Sequence, residues 1–217
     1  MRNHYAFITA ALIALLLAGM LRVYGTAGSL PVLGSLSMLS AVGLSIVVGF
    51  PALMFLVTKR IAPASPPKIS AISIGQLLGL GALLAIPPVL IDIFTHFPEA
   101  MNLPLPDALF FYPSIALVAE VQFHLLPLAF LTHIVPRTVP RLWLFLPVIL
   151  IEPLFQVIFM QGASLQSLLV LLNVTLISAV QLWLFRRHGF AAMIGLRLSF
   201  YLFWHVLWGT LRLQILF

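Results

Sequence analysis

Seven stretches of almost uninterrupted apolar residues run along the chain, at 5–23, 36–57, 71–94, 110–134, 142–161, 165–184 and 190–214. Each is long enough to cross a hydrocarbon core of roughly 30 Å as a helix. The apolar positions are continuous and not alternating, which predicts helices over barrel strands, and a helix satisfies its own backbone N–H and C=O groups in lipid. Pro31, Pro63, Pro66 and Pro67, Pro104 and Pro106, Pro136 and Pro140, and Gly162 punctuate the intervals where helices must stop. Those intervals are too short to bury a core of their own. The pattern therefore predicts an all-α fold, a polytopic transmembrane bundle of about seven spans, with residues 1–217 forming a single integral membrane domain.

The basic residues give this division an orientation. Arg2, then Lys59, Arg60 and Lys68, then Arg137 and Arg141, then Arg186 and Arg187 all fall on one side, against Arg22 and Arg212 on the other. By the positive-inside rule the first side, and with it the N-terminus, is cytoplasmic. An alternative reading takes the first run as a signal peptide, since Met1-Arg2-Asn3-His4 precedes it and the small residues of Gly25 to Gly28 follow. The run is long for such a segment, and a membrane anchor is the plainer reading. Residues 97–109 read as an interfacial loop or re-entrant piece on the outer side.

Composition adds exclusions. The chain is 62% hydrophobic and 7% charged, with a mean hydropathy of +1.16, far outside the range of soluble domains. Its net charge of +6 comes from clusters at span ends, where they anchor helices, so nucleic acid is not an expected partner and membrane lipids are. Absent cysteine rules out disulfides, thiolate catalysis and Cys-ligated metal. Together with the short loops it points to a bacterial inner membrane.

Ionisable side chains deep inside a span are costly unless paired or hydrated, and so are informative. Glu120, Glu152 and Arg197 qualify, the two carboxylates lying about 15 Å deep at 1.5 Å per residue. Glu120 and His124 are four residues apart on one helical face, and Arg197, Tyr201 and His205 step by four along the last span. These stripes are expected to converge with Glu152 inside the bundle, joined by Gln156 and Asn173. One reading is a buried ion pair that locks helices together; the other is a hydrated polar cavity in which a carboxylate activates water. A divalent metal held by Glu120, His124 and His205 is a further candidate, although the spacing is not that of H-E-x-x-H zinc sites. Asp92, His96 and Glu99 are helix-spaced at the outer boundary and are candidates for a surface cation site, set against a solvated charged face. Trp143, Trp183, Trp204 and Trp208 read as an interfacial belt.

Around Ala119-Glu120-Val121-Gln122-Phe123-His124 the chain resembles the E-E-x-x-F/Y-R motif of the CPBP intramembrane proteases, which include CAAX prenyl endopeptidases and bacteriocin-processing or self-immunity proteins. Glu120 matches the second glutamate and Phe123 the aromatic, while Ala119 and His124 replace the first glutamate and the arginine. Phe155 matches the start of the family's F-x-x-x-H motif, with Phe159 in the histidine place. Arg197 and Tyr201 stand where the final H-x-x-x-N/D motif would fall, and His205 echoes a further histidine of that helix. The resemblance covers about 110–210. It implies Glu120 as the base that activates water, with histidines as positioning or oxyanion groups, acting on a membrane-protein or peptide substrate; in this chain His124 or His205 would have to fill that role from other positions, with Arg197 as the electrostatic partner of Glu152.

Three function classes follow. A divergent endopeptidase would need Glu120, Glu152, His124 and His205 within reach of one another. A small proton-coupled transporter would need helices broken at the midplane, for which Pro87-Pro88 is the best candidate. A non-enzymatic partner-binding protein or scaffold would need the charges neutralised among themselves.

Overall fold

The computed structural model describes residues 2–26, 36–64, 74–136, 138–159 and 164–217, of which none forms a β-strand. Pro31, Pro66, Pro67, Lys68, Arg137 and Gly162, Ala27 and Gly28, and residues 71–73 and 160–161 of the spans expected at 71–94 and 142–161, lie outside the described residues. Among the described residues, seven helices are long and apolar enough to cross a membrane. They are α1 (Arg2–Tyr24), α2 (Met38–Thr58), α3 (Ile74–Thr95), α4 (Asp107–Ile134), α5 (Phe145–Phe159, entered through a 3₁₀ turn at Arg141–Leu144), α6 (Leu165–His188) and α7 (Phe190–Ile215). The chain is an integral membrane protein of helical-bundle architecture, with boundaries within a few residues of those the hydrophobic runs predict.

Local chemistry sets several of the ends. Ser37 and Ser164 cap α2 and α6 by accepting from the backbone N–H groups of Ser40 and Ser167, which replaces a hydrogen bond the first turn lacks. Arg186, Arg187 and His188 occupy the last turn of α6, and Gly189 with φ 80° turns the chain into α7. That left-handed angle is cheap only for glycine.

The helices pack around two large apolar cores and a small third cluster of Ala108, Tyr112 and Val206 between α4 and α7. Phe7, Ala11, Ala14, Ala18 and Leu21 form the buried stripe of α1, and they meet α2 and α4 in the first core. The second core joins α3, α6 and α7 through residues such as Leu84, Ile91, Ile177, Leu196 and Trp204. Close approach is built in: a Cβ at Gly81 of α3 would lie 2.6 Å from Ser199 Cβ and 2.9 Å from the Phe200 nitrogen of α7. Tyr201 packs against both cores, so α7 is the spine of the bundle and its inward face lies at their junction.

Two turns of the helices widen from α to π geometry, at Glu120–Leu125 in α4 and Leu202–Trp208 in α7. The first has a cause in the sequence. Pro127 has no N–H and its ring would meet the Phe123 carbonyl; the widened turn relieves this, with Leu126 donating to Val121 O. The second is stabilised from outside. Asn102 reaches α7 at Gly209, where a Cβ would come within 2.6 Å of its amide nitrogen, and donates to the His205 carbonyl at 3.4 Å. Such π-turns recur at functional sites. Pro87 and Pro88, in contrast, leave α3 helical throughout.

Candidate functional site

Glu120, on the π-turn of α4, is fully buried. Its Oε1 accepts from Arg197 Nε at 2.7 Å and from Gln181 Nε2 at 2.5 Å, and its Oε2 accepts from His124 Nδ1 at 2.7 Å. Glu152, contributed by α5, takes Arg197 in a fork, NH1 to Oε1 at 2.7 Å and NH2 to Oε2 at 2.6 Å. Arg197 NH1 also donates to Tyr201 Oη and NH2 to Gln181 Oε1, each at 3.2 Å. All five guanidinium N–H groups therefore have acceptors within the protein. Four helices, α4, α5, α6 and α7, are tied to one buried cation.

The sequence-predicted residues divide accordingly. Glu120, His124, Glu152 and Arg197 are brought together. His205 is not: its ring stacks on Tyr112, with centroids 4.2 Å apart, and lies edge-on to Tyr201 at 4.9 Å. Its Nδ1 meets Asn102 Nδ2 at 3.3 Å. Two turns of α7 separate it from Arg197, because a four-residue step on a helix repeats a face but also climbs about 6 Å. The trio Glu120, His124 and His205 thus does not assemble as a metal site, and no cluster of three or more His, Asp or Glu side chains among the described residues is placed to hold a metal ion. His124 Nε2 is buried with no hydrogen-bond partner among the described residues and lies 3.9 Å from Glu152 Oε2.

A cavity of about 420 Å³ opens beside this network between α3, α5, α6 and α7. Glu152, Arg197, Tyr201 and His205 line it, with Gln156 and Asn173 as the sequence suggests, and Ile91, Phe155, Ile177, Phe200 and Trp204 supply apolar walls. Glu120 and His124 are not among its lining residues. Arg197 and Glu152 stand between the cavity and Glu120.

At the end of the bundle opposite Lys59, Arg60, Arg186 and Arg187 sits a second ionic cluster, where the sequence offered a solvated charged face or, as the lesser candidate, a surface cation site. Asp92 is fully buried, not solvated. Its Oδ2 accepts from Arg212 Nε at 2.6 Å and from Trp208 Nε1 at 2.7 Å, and its Oδ1 from Arg212 NH2 at 3.1 Å and the Phe97 N–H at 2.8 Å. Helix α3 ends at Thr95, and His96, at φ 52°, turns outward with Glu99, so the three residues diverge. Arg212 also donates to the carbonyls of Phe97 and Pro98 and to Asn102 Oδ1. It pins residues 97–102 over the end of the cavity. Trp204 belongs to the cavity wall and Trp208 to this cluster, while Trp143 and Trp183 are exposed as a belt requires.

Gln181, Asn102 and Arg212 were not singled out by the sequence reading. Gln181 carries a signal, since it falls eight residues after Asn173, on the same face of an otherwise apolar span. Asn102 has none, as its role depends on the chain doubling back. No family model, no curated protein and no solved structure matches this chain.

Proposed function

We propose that this chain is a non-hydrolytic relative of the CPBP intramembrane proteases, a bacterial inner-membrane protein that binds a membrane component in its cavity and does not cut it. The observation that carries this reading is the state of Glu120. A general base must reach the proton it abstracts, directly or through one water. Here the carboxylate is fully buried, accepts from Arg197, Gln181 and His124, and is screened from the cavity by Arg197 and Glu152. Glu152 lines the cavity, but both of its carboxylate oxygens are already engaged by the two-pronged bond from Arg197. The replacements at 119, 124, 159 and 197, where the family motif has glutamate, arginine, histidine and histidine, point the same way. What the network does well is brace α5, α6 and α7, three of the helices that wall the cavity, against α4.

The test is direct. Detergent-purified protein is incubated with a panel of transmembrane and prenylated peptides, beside Glu120→Gln, and products are read by mass spectrometry. No product that depends on Glu120 is expected. Cleavage by the native chain that Glu120→Gln abolishes, with the variant still folded, overturns the reading.

A further inference from the structure

The cavity runs along α7. Arg197 and His205, both lining it, are eight residues apart on one helix, about 12 Å at 1.5 Å per residue. The cavity volume of about 420 Å³ lies toward the lower end of the roughly 300–1,000 Å³ of pockets that take one small ligand, and suits a single slender chain. Two of its lining residues, Phe155 and Met101, are 45% and 38% exposed.

Its polar groups separate by level. The charged pair Glu152–Arg197 lies at the inner end with every guanidinium donor already used. Gln181 is bonded to Arg197, so Asn173, eight residues back along antiparallel α6, stands level with His205 at the other end. There Asn173 Oδ1 is buried without a hydrogen-bond partner among the described residues, although its residue lines the cavity and is only 8% exposed. A buried polar atom of this kind calls for a partner. His205 Nδ1 faces the Asn102 amide; as acceptor there, it leaves the ring's proton on Nε2, a donor. Gln156, one turn along α5 from Glu152, adds an amide.

We infer that the cavity binds a single-chain neutral lipid, its uncharged hydroxyl or amide head held by Asn173, Gln156 and His205 and its hydrocarbon against Phe155, Ile177 and Phe200. An anionic head would find no free guanidinium donor and would face Glu152. A cationic head would share Glu152 with Arg197 and be repelled by it. This inference rests on the binding reading above and names the ligand class for the same site.

Trp204 in the wall supplies the readout. In a Trp143→Phe, Trp183→Phe background, which removes the two exposed indoles, dibrominated monostearoylglycerol is titrated into protein in detergent. Saturable quenching is expected, competed by monostearoylglycerol and at least about tenfold less well by ionised stearate or stearylamine. Asn173→Leu is expected to weaken binding about three- to tenfold, the worth of one hydrogen bond, and Ile177→Phe to reduce it by occupying the chain's path. Quenching that never saturates, stearate competing as well as the neutral lipid, or unchanged affinity in Asn173→Leu overturns the inference. The probe is also recovered and its mass measured. Intact but unbound probe refutes the lipid alone, whereas release of dibromostearate that requires Glu120 refutes the non-hydrolytic reading.

Discussion

Replacing Arg197 with methionine keeps most of the side chain's length and removes its charge and all five donors. Glu120 would lose Arg197 Nε and keep His124 and Gln181, while Glu152 would lose both prongs of its fork. Both carboxylates are nearly inaccessible, at 0% and 4% exposure, so neither recovers its solvation. Breaking a buried pair by removing one partner costs about 3–5 kcal/mol. For a chain of this size each kcal/mol corresponds to about 2–4 °C in melting temperature, giving a drop of roughly 6–20 °C. The assay is thermal unfolding in detergent followed by tryptophan emission. The diagnostic companion is the triple variant Glu120→Gln, Glu152→Gln, Arg197→Met. It removes the stranded charges together, and buried ion clusters exchanged for neutral groups are often close to neutral in stability, so it is expected to regain most of the loss. A shift below about 3 °C for Arg197→Met alone, or a triple variant no better than the single, would refute the claim that this guanidinium holds four helices together by bridging two buried carboxylates.

Other perturbations probe the remaining joints. Asp92→Asn leaves the fully buried Arg212 without its counter-charge and is expected to cost about 3 kcal/mol or more, read by the same melt. Faster proteolysis between Phe97 and Asn102 should accompany it. Gly81→Ala sets a Cβ 2.6–2.9 Å from Ser199 and the Phe200 backbone, so α3 must move off α7. A loss of about 1–3 kcal/mol is expected, and an unchanged melting temperature would contradict the close approach. Gly209→Ala meets Asn102 at 2.6 Å, a side chain able to shift, so a smaller loss is expected, suppressed in an Asn102→Ala background where the two changes act on one contact.

The seven spans were legible because a hydrocarbon core imposes length and continuous apolarity, and both are visible residue by residue. The meeting of Glu120, His124, Glu152 and Arg197 was legible for a related reason, since charges stranded at one depth in lipid have few partners but each other. A shared helical face, however, is not a shared place. Arg197, Tyr201 and His205 lie on one face, yet the first joins the ion network and the last joins Tyr112 and Asn102. Asp92, His96 and Glu99 share one on paper, but the helix stops at Thr95. Arg212 reads as an outer flanking charge by position, and it is buried only because residues 97–102 fold back across the end of α7 and offer it carbonyls.

That fold-back also explains why the two ionic clusters belong to one design. A π-turn frees backbone carbonyls, and inside a membrane a freed carbonyl needs a donor from the protein. At Leu202–Trp208 the donor is Asn102, whose amide serves the His205 carbonyl while its own oxygen accepts from Arg212. The widened turn is therefore supported by the outer cluster, and it sits on the same helix as Arg197, whose position the inner cluster fixes. Between these two anchored levels the cavity has no need to collapse, because α7 is held at both ends of it by bonds too costly to release. Weakening Asp92–Arg212 should consequently alter the mouth, at Phe97, Met101 and His205, before it disturbs Glu120. Hydrogen exchange that opened the Glu120 turn and the 97–102 segment together in Asp92→Asn would show instead that the clusters rise and fall as one unit.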